Sequence, residues 1–391
     1  MSDVTSNKEI DLSTYKVDAA PHDYVEELSR VDVKDARQFL DVGVDPQENG
    51  RGGSFIQKDR SVIHCKSCQP GIEIMGISQA QLQHAWLKDY IWKNISPETD
   101  AFTHRVIESP HEGYFIRSLP GVKASQPVQA CLYIASEKFS QHVHNIVIAE
   151  ENSELHIITG CATAPHLVSG LHVGVSEFYV KKGAKLIFTM IHDWGEQVNV
   201  RPRTVTRVEE GGVIISNYVS LRPVGSLQMF PTTYLEGRGA VARFNSILVA
   251  GKGSHLDVGS RVVLSAPDTR AEIISRGITS GGTIIARGDL VGKVAGIKAH
   301  LECKGLILNN GLMHAIPELS GYAPGVEMSH EAAVGKIDKR EIEYLMARGL
   351  DEEAAISTIV RGFLNVDIDG LPPALKQRLD QTVTETQKDM M

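Results

Sequence analysis

Short β-rich segments separated by glycine-containing or charged turns fill the chain from about residue 128 to 310, and this pattern most constrains the fold. "EIISRG" at 272–277 returns as "TIIARG" at 283–288, and "VIIS" at 213–216 is a weaker relative. Strands that recur every 11 to 16 residues, with glycine at the corners, suit a stack of coils in which each turn buries its apolar face against the next. We therefore predict a mainly β protein built as a parallel β-helix. A β-sandwich or double-stranded barrel is the alternative.

Helical signals lie on both sides of the β region. Residues 1–45 form an acidic stretch with apolar residues near helical spacing, and "GISQAQLQHAWLKDYIWKNI" predicts a helix capped by Ser78 that buries Leu82. Near the C-terminus, "IDKREIEYLMARGL" and "DEEAAISTIVRGFL" predict two helices too small to bury their own apolar faces. We expect a mixed N-terminal region (1–125), a β-helix core (126–325) and a C-terminal helical region (326–391).

Composition excludes several classes of protein. The 391 residues are 42% hydrophobic and carry a net charge of −8, and basic residues do not cluster with aromatic ones, so we expect a folded protein that binds no nucleic acid. The N-terminus lacks a secretion signal, and no run of 18 apolar residues occurs, so we expect a cytoplasmic protein that does not enter the membrane. Neither a P-loop nor a Gly-x-Ser-x-Gly elbow is present, which argues against nucleotide hydrolysis or ester chemistry in this chain.

The five cysteines are odd in number and mostly far apart, which favours reduced thiols over a disulfide framework. The simplest interpretation of Cys303, in "HLECKGLIL", is a thiol buried in the core, but the ammonium of Lys304 beside it would favour the thiolate that binds iron. Strand alternation places His300 on the opposite face from Cys303. Cys161, in "ITGCATAPH" between Gly160 and Pro165, is expected on an accessible turn, as a spectator or a sulfur carrier.

Two other motifs carry less weight. "HCKSC" places Cys65 and Cys68 at the spacing of half a zinc site or a redox pair, but no second Cys-x-x-Cys completes it. "QHVHN" places His142 and His144 on one strand face, and we expect paired surface histidines there.

His314, His330 and Glu331 follow Cys303 by 11, 27 and 28 residues. Such intervals are too long for a local metal loop. These groups can form a site with the thiol only if successive turns stack them or a second subunit brings them together. A lone histidine is more often simply solvated, but three such groups after a flanked cysteine favour a site.

Together "QHVHNIVIAEENSELHIITGCATAP", "LECKGLIL", "GLMHAIPEL" and "SHEAAVGKIDKREIEYLMARGLDEEAAISTIVRGF" resemble the SufB/SufD family, the scaffold subunits of the SUF iron–sulfur cluster assembly machine. The resemblance spans most of the chain from about residue 50. It implies a right-handed parallel β-helix flanked by an N-terminal region and a C-terminal helical region. The departures are Cys65 and Cys68, which have no place in the family pattern, and Ser329 where SufB has glutamate.

The resemblance also implies roles for particular residues. Cys161 matches the SufB cysteine linked to sulfur acceptance, although "GCATAP" has one residue more than Gly-Cys-Thr-Ala-Pro. Cys303 matches the cluster-building thiol and Glu331 the carboxylate of SufB, while His330 matches the histidine that SufD contributes. Because one chain carries both sets, the resemblance implies a self-pairing protein in which Cys303 of one copy faces His330 of the other.

The resemblance further implies a scaffold, not an enzyme, that builds a transient iron–sulfur cluster with iron bound by Cys303, His330 and Glu331. The expected partners are a second copy, a SufC-type ABC ATPase, a sulfur donor and apo iron–sulfur proteins. Flavin is a cofactor that the sequence leaves open. The expected docking surface for the ATPase consists of Ile342, Leu345, Leu350, Ile356, Ile359 and Phe363. The alternatives are a β-helix carbohydrate-active enzyme, such as a polysaccharide lyase, and a purely structural β-helix.

Overall fold

The computed structural model describes residues 10–364. Its main body is a parallel β-helix of about eight turns, as the strand pattern predicts. Two sheets face each other across an interior space, which we call the lumen, and the chain passes from one sheet to the other along most of the coil. Each strand therefore has an inner face toward the lumen and an outer face.

Ten strands form the first sheet. Numbered in chain order with those of the second sheet, they are β1 (Gly53–Lys58), β2 (Ser61–Ser67), β5 (Val128–Ile134), β7 (Glu154–Thr163), β9 (Lys185–Asp193), β12 (Val213–Ser220), β15 (Val241–Ala250), β17 (Arg270–Thr279), β19 (Lys298–Ile307) and β21 (Glu327–Gly335). The pairing is parallel except for the β1–β2 hairpin at one end.

Eleven strands form the second sheet. They are β3 (Ile72–Gly76), β4 (Tyr114–Ser118), β6 (Ser140–Ala149), β8 (Ser169–Val180), β10 (Gln197–Val200), β11 (Arg203–Val208), β13 (Ser226–Met229), β14 (Thr232–Leu235), β16 (His255–Leu264), β18 (Thr283–Gly292) and β20 (Leu312–Gly321). In two of its turns a single strand is replaced by two short ones, β10 with β11 and β13 with β14.

The register of the first sheet fixes the length of a turn. Val213 pairs with Val241, Val241 with Arg270, and Arg270 with Lys298, so one turn takes 28 or 29 residues. The repeated "EIISRG" and "TIIARG" lie in β17 and β18, which belong to opposite sheets. The spacing of 11 to 16 residues read from the sequence is therefore about half a turn.

Inner side chains from the two sheets interdigitate in the lumen. The rings of Phe178 on β8 and Phe188 on β9 lie 4.8 Å apart across it. Gly288 on β18 leaves the space that Leu301 on β19 fills, since a β-carbon at Gly288 would lie 2.0 Å from Leu301 Cδ1. These contacts identify the lumen-facing residues of each strand, because alternate residues of a strand share a face.

Within residues 10–364, five α-helices flank the β-helix: α1 (Val33–Asp41), α2 (Ile77–Gln83), α3 (Ala101–Glu108), α4 (Lys339–Ala347) and α5 (Glu352–Leu364). The two predicted C-terminal helices are confirmed, and Asp338 caps α4 by accepting the backbone N–H of Arg340. The helix expected over 76–95 is wrong in extent. Its α-helical part ends at Gln83, a 3₁₀ turn follows at Ala85–Asp89, and Leu82 is 89% exposed. Of the expected N-terminal helical stretch, residues 33–41 are α-helical and residues 1–9 lie outside the described part.

The β-helix ends in an open turn. Among residues 10–364, β20 and β21 are the last strands of their sheets, and they are largely exposed. Their inner faces, which other turns cover with a following turn, include Leu319 and Val334 at 38% and 40% exposure. An uncovered sheet edge offers unpaired backbone N–H and C=O groups to another strand.

Candidate functional site

Cys303 lies on the inner face of β19, in the last complete turn. Its neighbours in the strand, Leu301 and Gly305, face residues of the second sheet across the lumen, which fixes the direction of Cys303 between them. In register it lies between Ser275 on β17 and Ala332 on β21. The thiol is fully buried, and His300 lies on the outer face, as strand alternation predicts.

The expectation that Lys304 would favour the thiolate is wrong. Lys304 lies on the outer face, where its Nζ is 2.7 Å from Glu302 and 3.2 Å from Glu331. Burial raises the pKa of Cys303 to about 11, and the guanidinium of Arg276 opposes this only in part. The thiol is therefore protonated near neutral pH unless a metal ion or another cation replaces the proton.

His330 and Glu331 are neighbours in β21 and so lie on opposite faces. His330 pairs with Leu301, which places it on the inner face, two residues along from the position opposite Cys303. Residues in such diagonal positions on one face of neighbouring strands are about 7–8 Å apart, which is within reach of an aromatic side chain. Glu331 pairs with Glu302 on the outer face. Within one chain, the geometry thus favours His330 over Glu331 as a companion of Cys303.

His314 does not join them. It pairs with Ile285 on the outer face of the second sheet, whereas its neighbour Met313 points into the lumen. Among residues 10–364, no three His, Cys, Asp or Glu side chains are arranged to hold a metal ion.

Cys161 does not lie where the sequence predicts. It lies within β7 and is 1% exposed, so the expected accessible turn is wrong. Its register partner on β9 is His192, whose Nδ1 is 2.7 Å from the hydroxyl of Tyr218. Burial raises the pKa of the Cys161 thiol well above its ordinary value and lowers the pKa of His192, so both groups are uncharged near neutral pH.

The two thiols lie far apart along the lumen. Five strand-to-strand steps separate β7 from β19, and at about 4.8 Å per step this is about 24 Å. Between them is an interior cavity of about 40 Å³ that extends from the region of Tyr218 to Ser275, the register neighbour of Cys303. Hydroxyl groups in its lining belong to Thr204, Thr206, Ser216, Tyr218, Ser246, Ser260 and Ser275. The sequence gives no signal for this cavity, since its lining comes from strands spread over about a hundred residues.

The expectation that His142 and His144 are surface histidines is also wrong, because both are buried. His144 Nε2 is 2.8 Å from the carboxylate of Glu177, which also accepts the backbone N–H groups of Trp92, Lys93 and Asn94. Burial lowers the pKa of His142 to about 4. Glu177, supported by His144, thus binds residues 92–94 of the N-terminal region to the second sheet.

Cys65 and Cys68 remain outside the site. Both are free thiols; Cys65 is partly buried and Cys68 is exposed. Burial raises the pKa of Cys65 to about 11, and its thiol donates to the carbonyl of Ile74 at 3.4 Å. This geometry gives no support to a zinc site or a redox pair at Cys65 and Cys68.

The predicted docking residues divide into two groups. Ile356 and Phe363 on α5 are half-buried and pack against the main core of the protein. Ile342, Leu345 and Ile359 are also half-buried, whereas Leu350, between the helices, is 36% exposed. Tyr344 and Met346 on α4, which are not among the predicted docking residues, are more exposed still. The exposed apolar surface of the helix pair therefore lies mainly on α4 and the turn after it.

Fold and site together define a parallel β-helix protein that carries buried thiols along its lumen and a histidine at its open end. No helix within residues 10–364 is long and apolar enough to cross a membrane. Residues 132–363 match the family described as SUF system FeS cluster assembly, SufBD core domain.

Relatives support the same assignment. An iron–sulfur cluster assembly SufBD family protein of Archaeoglobus fulgidus is 50% identical over 91% of this chain and 96% of its own length. A SufBD family protein of Methanothermobacter thermautotrophicus is 50% identical over 96% and 94%. The iron–sulfur cluster assembly protein SufB of Bacillus subtilis is 33% identical over 72% and 61%. The chain belongs to the SufBD family of iron–sulfur cluster assembly proteins.

Proposed function

We propose that this chain is the scaffold on which iron and sulfide are joined into a transient cluster that is then transferred to recipient proteins. The observation that carries the proposal is the position of Cys303 and His330 on the inner face of the last two turns, next to an uncovered end. A thiolate and an imidazole suit iron, and a mixed ligand set releases a cluster more readily than four cysteines would.

A second copy of the chain completes the site in this proposal. β20 and β21 present free edges, and antiparallel pairing with the same strands of another copy about a two-fold axis would extend both sheets. Cys303 lies one strand in from the edge, so the first strand of the second copy would lie about 10 Å away. The same contact would cover Leu319, Tyr322 and Val334, which are exposed in the single chain. His330 of each copy would then lie near Cys303 of the other.

Sulfur that comes from a persulfide donor reaches the site through Cys161 in this proposal. The thiolate of Cys161 attacks the terminal sulfur of a donor persulfide, so that a new S–S bond forms at Cys161, the S–S bond of the donor breaks, and the donor leaves as a thiol after taking up a proton. A dithiol reductant then cleaves the Cys161 persulfide with two electrons, which releases the outer sulfur as sulfide and leaves the reductant as a disulfide. Burial raises the pKa of the Cys161 thiol and lowers that of His192, its register partner, so the thiol proton passes to the departing sulfur of the donor and not to His192. The hydroxyl-lined cavity offers a protected route from this end of the lumen toward Cys303.

Energy for transfer comes from a partner ABC-type ATPase. The exposed side of α4 and the turn at Leu350 supply the docking surface, while Ile356 and Phe363 hold the helix pair on the core. Movement of this helix pair would act on β21, because three residues, 336–338, connect the end of β21 to the start of α4.

The test is cluster assembly on the anaerobically purified chain with ferrous iron and a sulfur source. Cys303→Ser should abolish the cluster chromophore, whereas Cys131→Ser, which removes another buried thiol, should retain it. His330→Ala should weaken assembly, and His314→Ala, which removes an exposed histidine of the outer face, should not. Full cluster yield from Cys303→Ser would refute the scaffold assignment of this thiol.

A further inference from the structure

In two successive turns, the second sheet is interrupted at the same position along its strands. β10 ends at Val200 before β11 begins at Arg203, and β13 ends at Met229 before β14 begins at Thr232. Each break contains a proline, Pro202 or Pro231, which cannot donate a backbone hydrogen bond. We call this interruption the seam.

The interior cavity reaches the seam. Its lining includes Met229, Pro231 and Gly259, the last on the neighbouring strand β16. A β-carbon at Gly259 would lie 2.3 Å from the carbonyl oxygen of Arg287, so glycine allows β18 to approach closely here.

A surface pocket of about 300 Å³ lies outside the seam. It is lined by Arg203, Gln228, Met229, Phe230, Asp257, Arg287 and Glu318. Met229 and Arg287 line both this pocket and the interior cavity, so the side chain of Met229 stands between them. Methionine is unbranched and has three rotatable side-chain bonds, which suits a residue that must move aside.

The two arginines that line this pocket are each paired with a carboxylate. Arg287 Nη2 lies 3.0 Å from Asp257, and Arg203 Nε lies 2.6 Å from Asp100. Beyond Arg287 the cavity is lined by hydroxyl, amide and apolar groups. An anion that entered would lose its hydration without gaining a fixed positive charge, whereas a small neutral molecule would not bear that cost.

We propose that the seam admits hydrogen sulfide, as the neutral molecule, to the lumen beside Cys303; this inference rests on the scaffold function proposed above. Sulfide sulfur already has the oxidation state found in a cluster, so no oxidant or reductant is needed. The molecule gives up its protons as iron–sulfur bonds form. The cavity of about 40 Å³ has room for about three water-sized molecules, since one such molecule needs about 10–15 Å³.

The first test measures passage alone and requires no cluster. The intact chain is treated with two methanethiosulfonates, one with a neutral methyl group and one with an anionic sulfonatoethyl group, and labelling of each cysteine is followed by mass spectrometry. Both reagents should label the exposed Cys68, but only the neutral one should label Cys303. Met229→Phe should slow neutral labelling of Cys303 by about tenfold, which corresponds to about 1.4 kcal/mol in the barrier, and Met229→Ala should accelerate it.

Met75→Ala, which removes a methionine from a separate hydrophobic cluster, is the matched control and should label as the wild type does. Equal labelling of Cys303 by the two reagents, or no response to either Met229 substitution, would overturn the proposal. Because the two substitutions act in opposite directions, a general loss of folding cannot imitate the expected result.

The second test links passage to assembly. With limiting sulfide as the sulfur source, Met229→Phe should slow cluster formation by the same factor as it slows labelling, while Met229→Ala should not. If Met229→Phe slows labelling but not sulfide-supported assembly, sulfide uses another route and the inference fails. If no variant and no wild-type chain forms a cluster, the scaffold function itself fails, and the two failures are thus distinguishable.

Discussion

The raised pKa of Cys303 leads to a quantitative prediction about its reactivity. Alkylating reagents attack the thiolate, so the labelling rate follows the fraction of thiol that is ionised. Burial in the lumen raises the pKa of Cys303 to about 11 from an ordinary value of 9.0. We therefore expect the rate at which Cys303 is alkylated to increase as the pH is raised toward 11.

The magnitude follows from the two pKa values. At pH 8 a thiol with a pKa of 9.0 is about one-tenth ionised, and one with a pKa of about 11 is about one-thousandth ionised. Cys303 should thus react about 100-fold more slowly at pH 8 than an ordinary thiol, and burial itself slows it further. Between pH 8 and 10 its rate should increase by about 100-fold.

The assay is alkylation with iodoacetamide, quantified by peptide mass spectrometry. Cys68, which is exposed, provides the reference within the same molecule. Arg276→Gln should slow Cys303 further, since the Arg276 guanidinium lowers the pKa of this thiol. Labelling of Cys303 at the rate of Cys68 at pH 8, or a rate that does not change between pH 8 and 10, would refute the reasoning.

The same pKa has a consequence for iron. A metal ion that binds the thiolate must displace the thiol proton, so binding at Cys303 releases a proton throughout the range below pH 11. The affinity for ferrous iron should then increase by about tenfold for each pH unit, as long as no other ligand titrates in the same range.

Three further predictions concern stability, each measured by urea unfolding. Glu177→Ala should lower the free energy of unfolding by about 3–5 kcal/mol, since it leaves the buried His144 and three backbone N–H groups without their acceptor; an unchanged midpoint would contradict this. Gly305→Ala should lower the free energy of unfolding by about 1–3 kcal/mol, because the new β-carbon would lie 2.0 Å from Met313 Sδ. Adding Met313→Ala to this variant should recover part of the lost stability. Strictly additive losses from the two substitutions would argue against that contact. His330→Ala should change stability by less than about 0.5 kcal/mol, because this side chain is exposed, so a larger loss would indicate a structural role.

Strand recurrence and helix capping carried most of the information that the sequence held about the fold. Both are local: glycine-punctuated β segments are visible in any window of the chain, and the cap at Asp338 depends on residues one to three positions away. The error at Leu82 shows the limit, because the apolar pattern of residues 76–95 continues where the α-helix gives way to a 3₁₀ turn.

The candidate site was only partly predictable for the same reason. Cys303 and His330 could be selected from the sequence, but that both belong to the inner face depends on the register between β19 and β21, which alternation within one strand does not fix. Cys161 was misplaced because "GCATAP" contains turn-forming residues, whereas its pairing with His192 on β9 keeps it in a buried strand.

The sequence by itself indicated short strands separated by glycine-containing turns, unpaired thiols and two helices after the strands, since composition, spacing and capping act over a few residues. Only the tertiary structure decided which side chains face the lumen, that two thiols about 24 Å apart share one interior, and that the second sheet is interrupted where a cavity approaches the surface. The physical reason is that a β-helix brings together residues 28 or 29 positions apart, and a shift of one residue in register would turn every inward side chain outward.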